Sequence, residues 1–351
     1  MKSLKIGYQP LSPSLKSAGD RRRLLFWAKN RGHTVITDLS QRVDVLVASE
    51  NSDFQSTVFA KKKVPVIFDL VDAYLSPLNP YDDFARGLAK KLTGQISGGV
   101  KPFSHHVRKF CMNSDAVICS SIEQEAVINP LNSNTHIILD SHEEIKFIEP
   151  KIAGSSHSIE KRILWEGQPA TIRGVQQISP VLFELSRKNN LYFDFVTDEK
   201  YFEFLGKFFK RKTSHLLKQD LNSVFDRMRI VPWSPDNLAM AAQKSSIAMI
   251  PIDLSIPMQK LKPENRLLIM WRLGLPCLTS SSSSYARVSR DAGVSAACGS
   301  QEIWLDKFNN LLNDPVYAHR EILLGQNYIR ETHSKTVLLN KWDQAIESVM
   351  R

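Results

Sequence analysis

Cysteine is scarce and scattered: Cys111, Cys119, Cys277 and Cys298 are the only four in 351 residues. Their spacing matches neither a disulfide framework nor a metal site, and two of them fall in apolar strand-like runs, so they read as reduced core residues. Long apolar runs are missing as well. The amino-terminal stretch MKSLKIGYQPLSPSLKSAG holds none that would serve as a signal peptide. No segment approaches the roughly 20 apolar residues needed to span a bilayer. A cytoplasmic protein is expected, with peripheral membrane attachment left open. Negative charge is in deficit, with 36 Asp and Glu against 46 Lys and Arg and a formal net charge of +10. Such a surface meets anions: nucleotide phosphates, acidic lipid head groups or nucleic acid. The last has no further support, since neither a nucleic-acid-binding motif nor a stacking-aromatic strand face is present.

What is there is a globular composition, 42% hydrophobic and 23% charged. The length suggests two domains. Short β-branched runs (LKIGY, HTVIT, VDVLVA, VPVIFD, DAVIC, HIIL) alternate with helical patterns through the first half. In the clearest of these helices, DRRRLLFWAKNRG, Asp20 is the expected N-cap and Gly32 the stop. Around 149–160 the periodicity breaks in small and polar residues, the expected hinge. The alternation then restarts with KRILWEG, a helix over 175–188, LYFDFV, RIVPW, a helix near 237–244 and SIAMIPI. Helical patterns near 315–332 and 335–350 close the chain. This rhythm predicts an α/β protein of two Rossmann-like, doubly wound domains facing a central cleft: 1–150, 151–330, and a terminal helix over 331–351 that packs back across the hinge.

The cation pattern carries the chemistry. Lys262 and Arg266 stand at i and i+4 around Pro263, which is expected to open a helix ending at Gly274, ahead of the strand Leu275–Thr279 and a hydroxyl-rich loop. Gly167, in ILWEGQPATIRGVQQI, lets a backbone approach a ligand, and Arg173 with Gly174 opens a helix whose free N–H groups suit a phosphate. Arg173, Lys262 and Arg266 together would stabilise a departing diphosphate without a metal ion. In the first domain the loop PLSPSLKSAG, with Gly19, Asp20 and Arg21, is placed to line a ligand edge, while at least two of Arg21, Arg22 and Arg23 are expected to be solvated. Asp69 and Asp72 fall at a strand's carboxyl end, and Asp72, further out, is the candidate to take or orient a hydroxyl proton. His105 and His106 lack metal-spaced partners and read as surface residues. In the basic, aromatic stretch EKYFEFLGKFFKRKTSHLLK, Tyr201, Phe204, Leu205 and Phe208 follow helical spacing beside Lys207, Lys210, Arg211 and Lys212. A helix on the second sheet is favoured there over one lying on an anionic membrane.

With these residues laid out, the chain resembles the GT-B glycosyltransferases, most closely glycosyltransferase family 4. The resemblance runs over most of the length and rests on RGHTV, SDAVICSS, IRGVQQI and, most specifically, KPENRLLIMWRLGLPCLTS. It implies sugar transfer from a nucleotide-sugar co-substrate, usually with retention and with no metal or other cofactor, to a saccharide or lipid-linked acceptor in polysaccharide or glycoconjugate synthesis. It also implies a donor diphosphate at Gly167, Arg173, Lys262 and Arg266, sugar or ribose contacts at Glu264, Asn265, Ser280 and Ser281, and an acceptor side at Gly19, Asp20, Arg21 and Asp72. One departure stands out: the family's paired glutamates, the second of which holds the ribose, would fall at Leu261 and Ile269. Glu264 is nearby in a different helical phase. The alternative reading is therefore a non-catalytic partner or glycan-binding subunit on the same fold.

Overall fold

The structure, a computed structural model, describes residues 3–52, 64–76, 79–96, 99–150, 161–203 and 209–350. The chain divides into two compact units. The first comprises Met1–His142, Pro257–Pro263 and His333–Arg351, the second Glu143–Ile256 and Glu264–Thr332. Most of the expected join at 149–160 lies outside the described residues.

The first unit runs β1 (Lys5–Gln9), α1 (Ala18–Arg22), α2 (Leu24–Arg31), β2 (Thr34–Ile36), β3 (Val45–Ser49), β4 (Val66–Asp69), α3 (Pro80–Leu92), α4 (Phe103–Asn113), β5 (Ala116–Cys119), α5 (Ile122–Ile128) and β6 (Thr135–Ile137). Its six strands form one parallel sheet in the order β2-β1-β3-β4-β5-β6, with Gly7 opposite Leu46 and Ser49 opposite Asp69. The strands are near-continuous apolar runs because helices cover both faces. Val45 and Val47 join a cluster with Trp27 and Trp342, while Leu46 and Ala48 point the other way, towards Phe103 and Val107. The carboxyl-terminal helix Lys335–Met350 is thus part of this unit's core. Trp342 stacks on Trp27 at 5.8 Å, and Asp343 accepts from Trp27 Nε1 at 2.8 Å.

The second unit begins with β7 (Lys161–Glu166), α6 (Arg173–Gln176), α7 (Ser179–Lys188) and β8 (Leu191–Thr197). It continues through β9 (Lys200–Glu203), β10 (Phe209–Lys212), α8 (Thr213–Asp220), β11 (Met228–Pro232), α9 (Pro235–Lys244) and β12 (Ile247–Ile250). After α10 (Pro257–Lys260), which groups with the first unit, come α11 (Asn265–Arg272), β13 (Cys277–Ser280), α12 (Ser283–Asp291), β14 (Ala297–Cys298), α13 (Gln301–Asn313) and α14 (Pro315–Thr332). Its main sheet is again parallel, ordered β11-β8-β7-β12-β13-β14. Ile163, Trp165, Phe193 and Phe195 face one helical layer, and Leu164, Ala248 and Ile250 face the other.

Several local expectations are corrected. Ser17, not Asp20, caps the first helix, accepting from the backbone N–H of Asp20, whereas Gly32 ends α2 at φ 71° as expected. The single helix over 175–188 is two, α6 and α7, because Pro180 has no N–H to donate back and its ring crowds the preceding turn. In the stretch 199–218, where a helix is expected, the described residues form an antiparallel pair, β9 with β10, and only then α8. Phe204, Leu205, Lys207 and Phe208 lie outside the described residues. Helix α11 starts at Asn265, so Pro263 does not open it and Lys262 stands before it rather than one turn below Arg266. His106 is buried, its neighbour His105 exposed.

Candidate functional site

In a doubly wound parallel sheet, ligands bind beyond the carboxyl ends of the strands where the strand order reverses. In the first sheet that point lies between β1 and β3. The loops leaving those strands are joined there, since Asn51 donates from Nδ2 to the carbonyl of Leu11 at 2.8 Å and accepts from Lys90 Nζ at 2.7 Å. Asp20 shapes the loop after β1. It is fully buried and accepts from Tyr8 Oη (2.7 Å), Leu11 N (2.8 Å), Ser12 N and Oγ (3.1 and 2.9 Å) and Ser17 Oγ (2.6 Å). Burial works against its ionisation, yet the hydrogen bonds from Ser17, Tyr8, Leu11 and Ser12 outweigh it and hold the carboxyl below its ordinary value. Gly19 lies against the same loop, where a β-carbon would meet Leu11 Cδ1 at 2.3 Å. Arg21 donates from Nε to the carbonyl of Lys16 at 3.0 Å.

Asp72, beyond β4, is half-buried, and its backbone N–H donates to Glu50 Oε2 at 2.9 Å. Glu50, just past β3, is almost wholly buried. Desolvation, joined by the charge of Asp72, pushes its carboxyl up to about 8. Burial lowers Lys90 while the Glu50 charge opposes it, and burial followed by the charges of Glu50 and Asp72 raises the Tyr74 hydroxyl. The Arg86 guanidinium lies over the Tyr74 ring at 5.1 Å. Asp69, at the end of β4, is engaged below this group. It takes Arg23 Nε and Nη2, while Arg23 Nη1 reaches the Ile138 carbonyl at 2.7 Å and Asp140 Oδ1 at 3.3 Å. Arg23 is 0% exposed. Of the three arginines in that run, it is therefore the interior one.

The second sheet reverses between β7 and β12. Gly167 follows β7, and a β-carbon there would lie 2.7 Å from Arg266 Nη1, 2.9 Å from Thr171 Oγ1 and 3.0 Å from Trp165. Arg266 itself donates from Nη1 to the Glu166 carbonyl at 2.8 Å and hydrogen-bonds Tyr285. Arg173, exposed, opens α6. That helix sits directly on the loop after β12, because a β-carbon on Gly174 would fall 2.2 Å from the Pro251 carbonyl oxygen. Ser280 ties the same loop to β13, accepting from Ile252 N at 2.8 Å and donating to its carbonyl at 3.2 Å. Ser281 is exposed one residue on. In the first turn of α11, Asn265 Oδ1 is buried without a hydrogen-bond partner.

The structure thus gathers Gly167, Arg173, Asn265, Arg266, Ser280 and Ser281 on elements at one sheet edge. Asp72, Asp20, Gly19 and Arg21 stand on the loops of the other. Lys262 groups with the first unit. Glu264 is 3% exposed and faces Arg287 Nη2 at 3.4 Å, so its carboxylate has an interior partner. Ile269, at the second glutamate position, is buried in the core. Sequence reasoning missed Glu50, Asn51, Tyr74, Arg86 and Lys90. The legible signal for the first two was that they are the first charged and amide side chains past the apolar run of β3.

No protein-family model matches the sequence, and a search of curated proteins finds no match. Solved structures do match. TarM superposes with a TM-score of 0.58 at 12% identity over 86% of this chain and 54% of its own, so the chain spans about half of that protein. WaaG, a glycosyltransferase involved in lipopolysaccharide biosynthesis, superposes with a TM-score of 0.56 at 13% identity over 97% of this chain and 98% of its own. At such identities the likeness is one of fold: two Rossmann-like units of the GT-B kind.

Proposed function

We propose that this protein is a glycosyltransferase of the family 4 type that moves a hexose from a nucleotide-sugar co-substrate to a saccharide or lipid-linked acceptor, with retention and without a bound metal, in cytoplasmic polysaccharide or glycoconjugate synthesis. The observation that carries the reading is Arg266. Its guanidinium lies against Gly167 at the carboxyl edge of the second sheet, in the space a side chain at 167 would take, and that edge is where a doubly wound sheet binds its ligand. In the transfer, the bond from the sugar's anomeric carbon to the diphosphate oxygen breaks and one to an acceptor hydroxyl oxygen forms. Charge on the leaving diphosphate is met by Arg266 and Arg173, with Lys262 proposed as a further contact from the sequence pattern; the N–H groups of Val175 and Gln176 in α6 already donate to the Ile172 carbonyl. Asn265 and Ser281 are the proposed sugar or ribose contacts, and Ser280 sets the loop that presents Ser281. Asp72 takes the acceptor proton, and Gly19, Asp20 and Arg21 build the acceptor-side loop.

Thermal unfolding with UDP, ADP and GDP tests the donor site. One of them at a hundredfold excess over its Kd stabilises the chain by about 2.7 kcal/mol, and Arg266→Ala and Lys262→Ala each diminish that shift. The second reading, a non-catalytic partner on the same fold, is favoured by the buried Ile269 and the Arg287-paired Glu264. An unchanged transition with all three nucleotides would select it.

A further inference from the structure

Helix α3 (Pro80–Leu92) is built inside out. Tyr81, Phe84, Leu88 and Leu92 recur at helical spacing along one stripe, yet they are 85, 47, 39 and 77% exposed. The face turned inward is the polar one. Asp83 accepts from Ser104 N at 2.9 Å and Ser104 Oγ at 2.5 Å, Arg86 lies over Tyr74, and Lys90 reaches Asn51. Gly87 fixes the rotation, since a β-carbon there would lie 1.9 Å from the Lys101 carbonyl oxygen. Turning the helix to bury its apolar stripe would break these contacts, so the stripe, about 20 Å long, is committed to the outside.

The charges around it are mainly positive. Between 79 and 113, with Asp83, Arg86 and Lys90 turned inward, the chain carries Lys91, Lys101, Arg108 and Lys109 against Asp82. Lys101, Arg108 and Lys109 are exposed on the segment packed beside α3, together with Met112 at 61%. We propose that α3 and the cations next to it dock the protein on an anionic lipid surface. Apolar side chains enter the boundary between head groups and acyl chains, and Lys and Arg meet the phosphates, the arrangement of an interfacial amphipathic helix. A second copy of the chain fits less well, because a two-fold contact would set this cationic surround against itself. The inference goes beyond the proposed transfer activity and is independent of the donor site.

Flotation of the full chain with vesicles tests it. Phosphatidylcholine vesicles containing phosphatidylglycerol are expected to retain the protein, with retention falling as salt is raised. Phe84→Ser with Leu88→Ser is expected to weaken binding at least about tenfold with only a small shift of the thermal transition, since both side chains are partly exposed, at 47 and 39%. Should that pair unfold the chain, Leu92→Ser at the helix end carries the same test. Lys101→Glu with Lys109→Glu is expected to weaken binding to the anionic vesicles only, leaving any binding to pure phosphatidylcholine unchanged. Equal retention of wild type and variants would overturn the proposal. So would a wild-type dimer that ignores vesicles and that Phe84→Ser with Leu88→Ser converts to a monomer. Nucleoside diphosphate binding, measured in parallel, is expected to be the same in all of these variants.

Discussion

Arg266 donates from Nη1 to the backbone carbonyl of Glu166 at 2.8 Å, and the same nitrogen stands 2.7 Å from where a β-carbon on Gly167 would be. The strand end and the cation on α11 are therefore placed by one another. Even the smallest side chain at 167 displaces the guanidinium. Gly167→Ala is expected to reduce nucleoside diphosphate affinity by about tenfold, equivalent to about 1.4 kcal/mol, with a small loss of stability. Titration calorimetry beside thermal unfolding separates the two effects.

Gly174→Ala should act on stability instead. Its β-carbon would meet a backbone oxygen, that of Pro251, at 2.2 Å, and neither α6 nor the loop after β12 has a flexible side chain to move aside. A loss of about 1–3 kcal/mol is expected by urea denaturation.

Arg23 pairs with Asp69 and Asp140 in the interior of the first unit. Removing it leaves the buried Asp69 carboxylate uncompensated, so Arg23→Met is expected to cost about 3–5 kcal/mol by urea denaturation. Adding Asp69→Leu removes the stranded charge and should recover much of that loss. A double variant no more stable than the single one would refute this account.

Glu50 makes stability fall as pH rises. Its carboxyl moves from an ordinary 4.5 up to about 8 in the folded chain through burial and the nearby Asp72 charge. Between those values the native state holds a proton that the unfolded chain has released, so unfolding gains favour as pH climbs through the window. Glu50→Gln is expected to flatten that slope. Thermal midpoints of both proteins, followed from about pH 5 to pH 8, read it directly.

His333 acts at the acid end. Burial lowers it from 6.5 to about 3, so the unfolded chain takes up a proton there that the folded one refuses. Stability present above about 6.5 is lost as pH falls towards 3. His333→Phe is expected to abolish that dependence, as followed by the same midpoints.

The strands were legible because a parallel sheet covered on both faces leaves no polar alternation. VDVLVA, VPVIFD and SIAMIPI admit little else, and the reversal of order that marks each carboxyl edge follows from the βαβ rhythm. Gly167 could be singled out as the glycine directly past the run of β7, and Arg266 only as a cation in the helix before β13. The antiparallel pairing of β9 with β10 was not legible, since aromatic residues spaced along Tyr201–Phe208 suit a helix as well as a strand and only the partner strand decides. Arg21, Arg22 and Arg23 are equivalent as letters, and burial of the third depends on carboxylates 46 and 117 residues away. Likewise the orientation of α3 is invisible in its hydrophobic pattern, which would be the same with the stripe inside. Periodicity records which residues share a face, through local backbone geometry. Which face meets the core is chosen by contacts distant in the chain, here Ser104, Asn51 and the Lys101 backbone, and those exist only once the chain has folded.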